Sequence, residues 1–302
     1  MEFLPSDFES VHCDLCGADD YTKRYEKRGF WMVQCNKCGL VYTNPRLKQE
    51  KIAALYDADY FQGHGFDKSI DYVKDVKEHT AKDSFTLEDW DCDWIRDILS
   101  RTQPGNVTPT LLEVGCGTGV FLDKARKHGF VCRGLELSEY AANFVRQMGI
   151  SVETKSIEDA NYPEHSFDVI VMREVIEHLP HPMESLKTVH KWLKTGGVLF
   201  MATGNYDCPE RKLRKSDWFY FMPEGHLNIF SNKTMTEYLR KVGFKEINVT
   251  NQGDLLMHKL RSANIISSGS PQPKNPIKKM IFSLIRSVNH FISSGMRIYA
   301  VK

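Results

Sequence analysis

The chain has 302 residues, 41% of them hydrophobic, and 40 basic residues nearly cancel 39 acidic ones to leave a formal net charge of +1. That length allows about two domains with a real core, and the charge balance lacks the basic excess of a chain dominated by nucleic-acid binding. With no run of about 18 apolar residues a membrane span is not expected, and "MEFLPSDFES" lacks the basic and apolar segments of a secretion signal; a cytosolic setting follows, with the eight cysteines as thiols or metal ligands rather than disulfides.

Four cysteines come early, in "CDLCG" (13–17) and "CNKCG" (35–39). Two C-x2-C pairs at this separation read as a zinc site, because each pair sets two thiolates on one tight turn and two turns complete a tetrahedron. Cys13, Cys16, Cys35 and Cys38 are the expected ligands of one structural Zn2+. Gly17 and Gly39 let each turn close. The remaining cysteines are read as packing residues.

Residues 46–106 read as a helical, connecting region. "LKQEKIAALYDADYF" and "LEDWDCDWIRDILSRT" carry helical apolar spacing, and "QPGN" at 103–106 breaks it. Strands and helices then alternate. "TLLEV" predicts a strand and "VFLDKARKHG" a helix. "VCRGLEL" predicts a strand, and "SEYAANFVRQMG" a helix capped by Ser138 and stopped by Gly149. "FDVIVM" reads as a buried strand, "ESLKTVHKWLKTGG" as a helix and "GVLFMAT" as a strand. "SNKTMTEYLRKVGF" predicts a helix with Ser231 as its cap, and "KEINVTN" and "MRIYAVK" predict two final strands. Alternation of this kind implies a mostly parallel sheet with helices on both faces. Residues 251–294 insert before the last strand. Their apolar stripe within 277–292, flanked by Lys278, Lys279 and Arg286, predicts an amphipathic helix packed on its own domain, with peripheral membrane contact as the alternative.

"LLEVGCGTGVFL" (111–122) places Gly115, Gly117 and Gly119 between a strand and a helix. A dinucleotide turn has G-x-G-x-x-G spacing; this one is G-x-G-x-G, with Glu113 just before it. A carboxylate there repels a pyrophosphate and suits a ligand carrying an ammonium group, as S-adenosylmethionine does. Glu136, at the end of the next strand, is placed to accept ribose hydroxyls.

At these residues the chain resembles the class I S-adenosylmethionine-dependent methyltransferases. The resemblance rests on "LLEVGCGTG", "GLELS", "SFDVIVMREVIEHLPHP", "LKTGGVLFMAT" and "HLNIFSNKTMTEYLRKVGF", which cover most of 107–250. "CDLCG…QCNKCGLVYTNP" followed by "LYDADYF" resembles a bacterial subgroup with a zinc-ribbon-like module in front, many of whose members serve surface-polysaccharide or secondary-metabolite pathways. The resemblance implies an α/β, Rossmann-like sheet of seven strands with helices on both faces, its last strand antiparallel. It implies cofactor contacts from Glu113, Gly115, Gly117 and Glu136, with Cys116, Gly119 and Leu137 beside them. Ile157 and Glu158 become candidates for the adenine end. Arg173, standing where the family commonly has a smaller residue, joins the cofactor set. The expected domains are 1–45 (ribbon), 46–106 (linker or lid) and 107–302 (methyltransferase).

E-x-x-E-H within "REVIEHLPHP" lacks the first histidine of an H-x-x-E-H metallopeptidase, and no N-P-P-Y motif follows the fourth strand. The basic-aromatic stretch "YTKRYEKRGFW" is offset by Asp14, Asp19, Asp20 and Glu26, so a structural ribbon is favoured over a nucleic-acid reader. Trp218, Phe219, Tyr220 and Phe221 either wall a substrate pocket or pack in the core. His226, among them, is the first candidate for a general base and His178 the second. The expected activity is methyl transfer to a small molecule, foremost a hydroxyl of a sugar, nucleotide-linked or a polysaccharide precursor. RNA or protein methylation with the ribbon as reader, and a non-catalytic cofactor-binding module, are the alternatives.

Overall fold

The computed structural model describes residues 3–68, 71–81, 90–102, 108–252 and 294–302. The expected amphipathic helix at 277–292, nearly all of the 251–294 insertion and the "QPGN" break lie outside the described residues.

The chain opens with β1 (Phe8–Glu9), β2 (Tyr21–Lys27), β3 (Phe30–Cys35), β4 (Val41–Thr43) and β5 (Arg46–Leu47). Four helices follow: α1 (Gln49–Ala53), α2 (Ala58–Phe61), α3 (Tyr72–Ala81) and α4 (Trp90–Arg101). The expected helix over 47–61 is therefore two short ones. Asp57 breaks it, its carboxylate accepting the Tyr60 amide at 3.0 Å as the cap of α2.

The alternating part runs β6 (Thr110–Val114), α5 (Val120–Lys127), β7 (Val131–Glu136), α6 (Glu139–Gln147), β8 (Ser151–Thr154), β9 (Phe167–Arg173), α7 (Pro182–Trp192) and β10 (Leu193–Gly204). It continues with α8 (Pro209–Arg214), β11 (Asn228–Ile229), α9 (Asn232–Val242), β12 (Lys245–Gln252) and β13 (Gly295–Val301). Seven strands pair in the order β12-β13-β10-β9-β6-β7-β8, and only β13 runs antiparallel to its neighbours. This is the expected class I methyltransferase sheet. Chain order reverses between β6 and β9, and ligands in such sheets bind beyond the carboxyl ends of the strands at that point.

The inner strands are buried on both faces and alternate with period two. Leu111, Val169, Val171 and Phe200 face α4 and α5, whereas Leu112, Ile170, Met172 and Leu199 face α7, α9 and the N-terminal segment. Two helix ends differ from expectation. The helix predicted over 184–197 begins at Pro182 and stops at Trp192, with Leu193 already in β10. Ser138 stands at the cap of α6, but its hydroxyl makes no capping bond; instead its amide donates to Glu136 at 2.9 Å. Ser231 does cap α9, in a reciprocal box with Thr234.

The N-terminal segment fits a zinc-ribbon-like module, and it is sewn into the larger sheet domain. Its strands form a four-stranded sheet, β11-β4-β3-β2, whose edge strand β11 comes from the far part of the chain. Asp14 accepts from the Tyr238 hydroxyl and the Met183 amide, both at 2.9 Å. Leu15, Val33, Leu40 and Tyr42 share one apolar cluster with Leu186, Phe230 and Tyr238.

Candidate active site

The three glycines of the turn after β6 all take positive φ, +67° at Gly115, +53° at Gly117 and +82° at Gly119, a region costly for other residues. Their surroundings differ. A Cβ on Gly115 would stand 2.5 Å from Val175 Cγ2, and one on Gly119 would stand 2.9 Å from Val145 Cγ2. A Cβ on Gly117 would meet nothing nearer than Phe61 Cε1 at 4.0 Å. Gly117 thus fronts a cavity of about 510 Å³, within the usual range for small-ligand sites. Gly119 does not line it; it lets α5 pack on α6, which corrects its expected place among the cofactor residues.

Glu113, Gly115, Cys116, Gly117, Glu136, Leu137, Ile157, Glu158 and Arg173 all line this cavity. Glu113 is 1% exposed. Its Oε1 accepts from Arg173 Nε at 3.1 Å, while its Oε2 has no hydrogen-bond partner among the described residues. Burial pushes the carboxyl up to about 7 against the pull of Arg173. Arg173 also donates through Nη1 to Asp91 at 2.7 Å and lies over the Phe121 ring at 4.1 Å. Its long side chain therefore fixes Glu113 and Asp91 in place. Glu136 accepts from the amides of Gly117 at 2.7 Å and Ser138 at 2.9 Å, holding the glycine turn against the next helix. Burial raises its pKa, and these amide bonds oppose the rise. With the Leu137 amide also reaching this carboxylate, a remaining lone pair can take a hydroxyl. An unpartnered buried carboxylate oxygen, a glycine whose missing side chain leaves room and a second carboxylate one strand away together fit a ligand of the S-adenosylmethionine kind, with its ammonium group and ribose hydroxyls.

The other end of the cavity is roofed by aromatics that the sequence reading did not single out. Tyr56 lies between α1 and α2, Tyr60 and Phe61 on α2, and Tyr72 on α3, and all four line the cavity. Tyr60 packs edge-on to Tyr56 at 5.0 Å and stacks on Tyr72 at 5.8 Å. The signal in the sequence is "LYDADYF", which brings three rings, Tyr56, Tyr60 and Phe61, within six residues.

His178, in a 3-10 turn (Ile176–His178) after β9, lines the cavity. Its Nδ1–H donates to Gly225 O at 2.9 Å, and burial lowers its pKa to about 4, so the imidazole is neutral. His226 is 4% exposed, does not line the cavity and lies behind His178 with ring centroids 4.6 Å apart. This reverses the expected order of the two candidate bases: the ribbon draws His226 inward, because Thr43 of β4 donates its hydroxyl to His226 O and its amide to Leu227 O. Trp218 and Phe221 are likewise fully buried, packed with Met32, Val41 and Ile229. They form core and do not wall a substrate pocket. Tyr220 reaches the site through its hydroxyl, which donates to the cavity-lining Glu174 at 2.8 Å.

In the ribbon, the sulfurs of Cys13, Cys16, Cys35 and Cys38 lie within 4.8 Å of one another. Gly17 and Gly39 close the two turns with amide bonds to Cys13 O and Cys35 O. The neighbouring basic residues are engaged internally. Lys23 sits over Trp31, Arg24 donates to Gln34, and Arg28 pairs with Glu224.

Residues 87–249 match the family model of a methyltransferase domain, more than half of the chain, and the protein belongs to that family of S-adenosylmethionine-dependent methyltransferases. Among curated relatives it is similar to a ubiquinone biosynthesis O-methyltransferase of Coxiella burnetii, 32% identical over 101 residues, covering 32% of this chain and 43% of the relative. A ubiquinone biosynthesis O-methyltransferase of Caulobacter vibrioides is 34% identical over 103 residues, covering 32% and 41%. The match thus spans less than half the length of these relatives. Among solved structures, phosphoethanolamine N-methyltransferase 2 of Haemonchus contortus with S-adenosyl-L-methionine has a TM-score of 0.55 at 16% identity, covering 87% of this chain and 62% of that one. An S-adenosylmethionine-dependent methyltransferase of Mesorhizobium loti has a TM-score of 0.51 at 19% identity, covering 70% and 97%. These two share the fold. Among the described residues no helix is long and apolar enough to cross a membrane.

Proposed function

We propose that the protein methylates a hydroxyl oxygen of a small molecule, with a sugar, nucleotide-linked or a polysaccharide precursor, as the favoured class. The observation that carries this is the single cavity that joins the glycine turn to the aromatic roof. It is sized for a cofactor and a small acceptor, and it lies under α1–α3 rather than along an open groove. Aromatic faces suit the CH faces of a sugar ring, and Glu174 and the tyrosine hydroxyls suit its oxygens. The curated relatives are named O-methyltransferases, which supports oxygen as the acceptor atom.

In this reading Glu113 holds the cofactor ammonium, Glu136 the ribose, and Ile157 and Glu158 flank the adenine. Acceptor oxygen, methyl carbon and sulfonium are held in line, which supplies much of the rate. The acceptor proton leaves at the end of the cavity where His178 and Glu174 stand; His226 supports His178 from behind. Cys13, Cys16, Cys35 and Cys38 hold Zn2+: tetrahedral thiolates at about 2.3 Å from zinc have sulfurs about 3.8 Å apart, and the Cys13–Cys38 and Cys16–Cys35 separations are 3.4 and 3.5 Å. The ribbon then acts as a structural wall of residues 1–45, next to a lid of 46–106 on the methyltransferase domain. Free thiols of this kind suit a reducing cytoplasm.

The test is incubation with S-adenosylmethionine labelled in the methyl group, against a metabolite extract and against RNA and protein extracts. Label recovered as a small-molecule methyl ether is expected. Label confined to RNA or protein would overturn the reading.

A further inference from the structure

One group of side chains beside the cofactor crevice has a donor pattern that a hydroxyl-methylating pocket does not need. Glu177, His178 and His226 each offer a ligand atom, and these atoms lie within 4.8 Å of one another. Both histidines donate their Nδ1–H to backbone carbonyls, His178 to Gly225 O at 2.9 Å and His226 to Tyr220 O at 2.8 Å. Their free lone pairs are therefore on Nε2. A carbonyl on the distal nitrogen is the arrangement that orients histidine as a metal ligand.

Glu177 is 1% exposed, and neither of its oxygens has a well-formed hydrogen bond among the described residues. The Thr203 hydroxyl and the Glu174 carboxylate stand beside it. Glu174, held by the Tyr220 hydroxyl, has a φ of +51°, a strained conformation for a residue other than glycine. The nearest guanidinium, Arg173, spends its hydrogen bonds on Glu113 and Asp91. Two carboxylates and two imidazole rings thus gather in one place, with the Thr203 and Tyr220 hydroxyls as the donors beside them. Burial and the neighbouring Glu174 charge push the Glu177 carboxyl well up, whereas at Glu174 burial raises the carboxyl and the bonds with Glu177 and Tyr220 oppose the rise.

We propose that Glu177, His178 and His226 bind a divalent metal ion at the acceptor end of the cavity, with Glu174 at its edge. Ligands about 2.0–2.2 Å from one ion lie about 3–4.4 Å apart, which these positions accommodate. Two imidazole nitrogens with carboxylate oxygen suit a first-row divalent ion such as Mn2+, Fe2+ or Zn2+ more than Mg2+, which takes oxygen ligands. His226 and Glu177 hold the ion from behind, while His178 and Glu174 border the cavity, so the remaining coordination positions face the acceptor. The catalytic consequence rests on the hydroxyl-methylation reading. An acceptor R–OH on the ion becomes more acidic and passes its proton to Glu174. The oxygen lone pair then forms the O–CH3 bond as the C–S+ bond breaks, and that electron pair stays on sulfur as the neutral thioether.

The test uses the full chain with its ribbon zinc retained, dialysed into metal-free buffer and titrated with Mn2+ by electron paramagnetic resonance and calorimetry, with S-adenosylmethionine affinity measured on the same samples. One Mn2+ per chain is expected, weakened by at least about tenfold in Glu177→Gln and in His226→Asn while cofactor affinity holds. Should His226→Asn fail to fold, His178→Asn supplies the second variant. Wild-type protein that binds S-adenosylmethionine but neither Mn2+ nor Mg2+ overturns the site in favour of a proton shared by Glu174 and Glu177. Unchanged Mn2+ binding in both folded variants overturns it as well. Hydroxyl methylation that proceeds fully without added metal, with one Mn2+ still bound elsewhere, overturns the site and leaves the proposed activity standing. Mn2+ bound as expected with no methyl ether formed overturns the proposed activity and leaves the site standing.

Discussion

Alanine at Gly117 and alanine at Gly119 should harm the protein in different ways, although both glycines belong to one turn and both have positive φ. Each substitution carries the left-handed strain of about 1–2 kcal/mol. At Gly119 the new methyl also meets Val145 Cγ2 at 2.9 Å and Met148 Cε at 3.0 Å. Overpacking of that kind costs about 1–3 kcal/mol more, so Gly119→Ala should lose about 2–5 kcal/mol in all. At Gly117 the methyl projects into open space with Phe61 no nearer than 4.0 Å, so stability should fall by the strain alone. The same methyl takes up room needed by a ligand seated on the turn, and a steric conflict of about 1–3 kcal/mol weakens binding by about 5–150-fold. Thermal melting gives the first quantity and calorimetry with S-adenosylmethionine the second. The expected outcome is a crossed pattern: Gly117→Ala the less destabilised of the two but poor in cofactor binding, Gly119→Ala the more destabilised with cofactor affinity largely kept. If Gly119→Ala lost more cofactor affinity than Gly117→Ala at equal stability, the division of labour among the glycines would be refuted.

The remaining outcomes concern pH and the thiolates. Glu113 has its carboxyl raised from 4.5 to about 7 by burial, so in the free protein its contribution to stability is fully present below pH 4.5 and is lost as pH rises through about 7. An ammonium ligand prefers the carboxylate, so cofactor affinity should move the other way, rising about fivefold between pH 6 and pH 7 as the ionised fraction grows; calorimetry should find Glu113→Gln weaker and flat over that interval, and a sloped variant or a flat wild type would contradict the assignment. Cys16→Ser should deplete zinc in elemental analysis and lower the melting temperature, because a structural zinc contributes folding free energy directly. Since β4 backs the 226–229 segment, methyl transfer should fall at least about tenfold with it, a distorted acceptor wall being costly to alignment; a zinc-free, fully active variant would contradict the structural role.

Much of the fold and half of the site were legible in the sequence, for identifiable reasons. "FDVIVM" has no polar face and so had to be a strand buried on both sides, and Glu113 next to G-x-G-x-G carries its meaning within a few residues of chain. The roof of Tyr56, Tyr60, Phe61 and Tyr72 was missed because its function depends on where α1–α3 come to rest, which no local period encodes. Trp218, Phe219, Tyr220 and Phe221 look alike in a pocket wall and in a core, and burial against Met32 and Val41 decides for core at Trp218 and Phe221, while Phe219 is exposed and Tyr220 reaches Glu174. His226 was placed ahead of His178 because a two-residue strand such as β11 leaves almost no pattern, yet its pairing with β4 turns that histidine away from the cavity.

The pairing of Tyr42 with Asn228 and of Val41 with Ile229 binds the front module to a loop far along the chain. A front module that merely rode on an enzyme could be exchanged between relatives by recombination, with the linker as the crossover point. Here the thiolate turns at 13–38 brace a strand whose far edge carries His226 one residue before Leu227, so each side of that seam constrains what the other can become. A chimera that grafts a foreign ribbon onto this sheet therefore has to import the matching 218–230 loop.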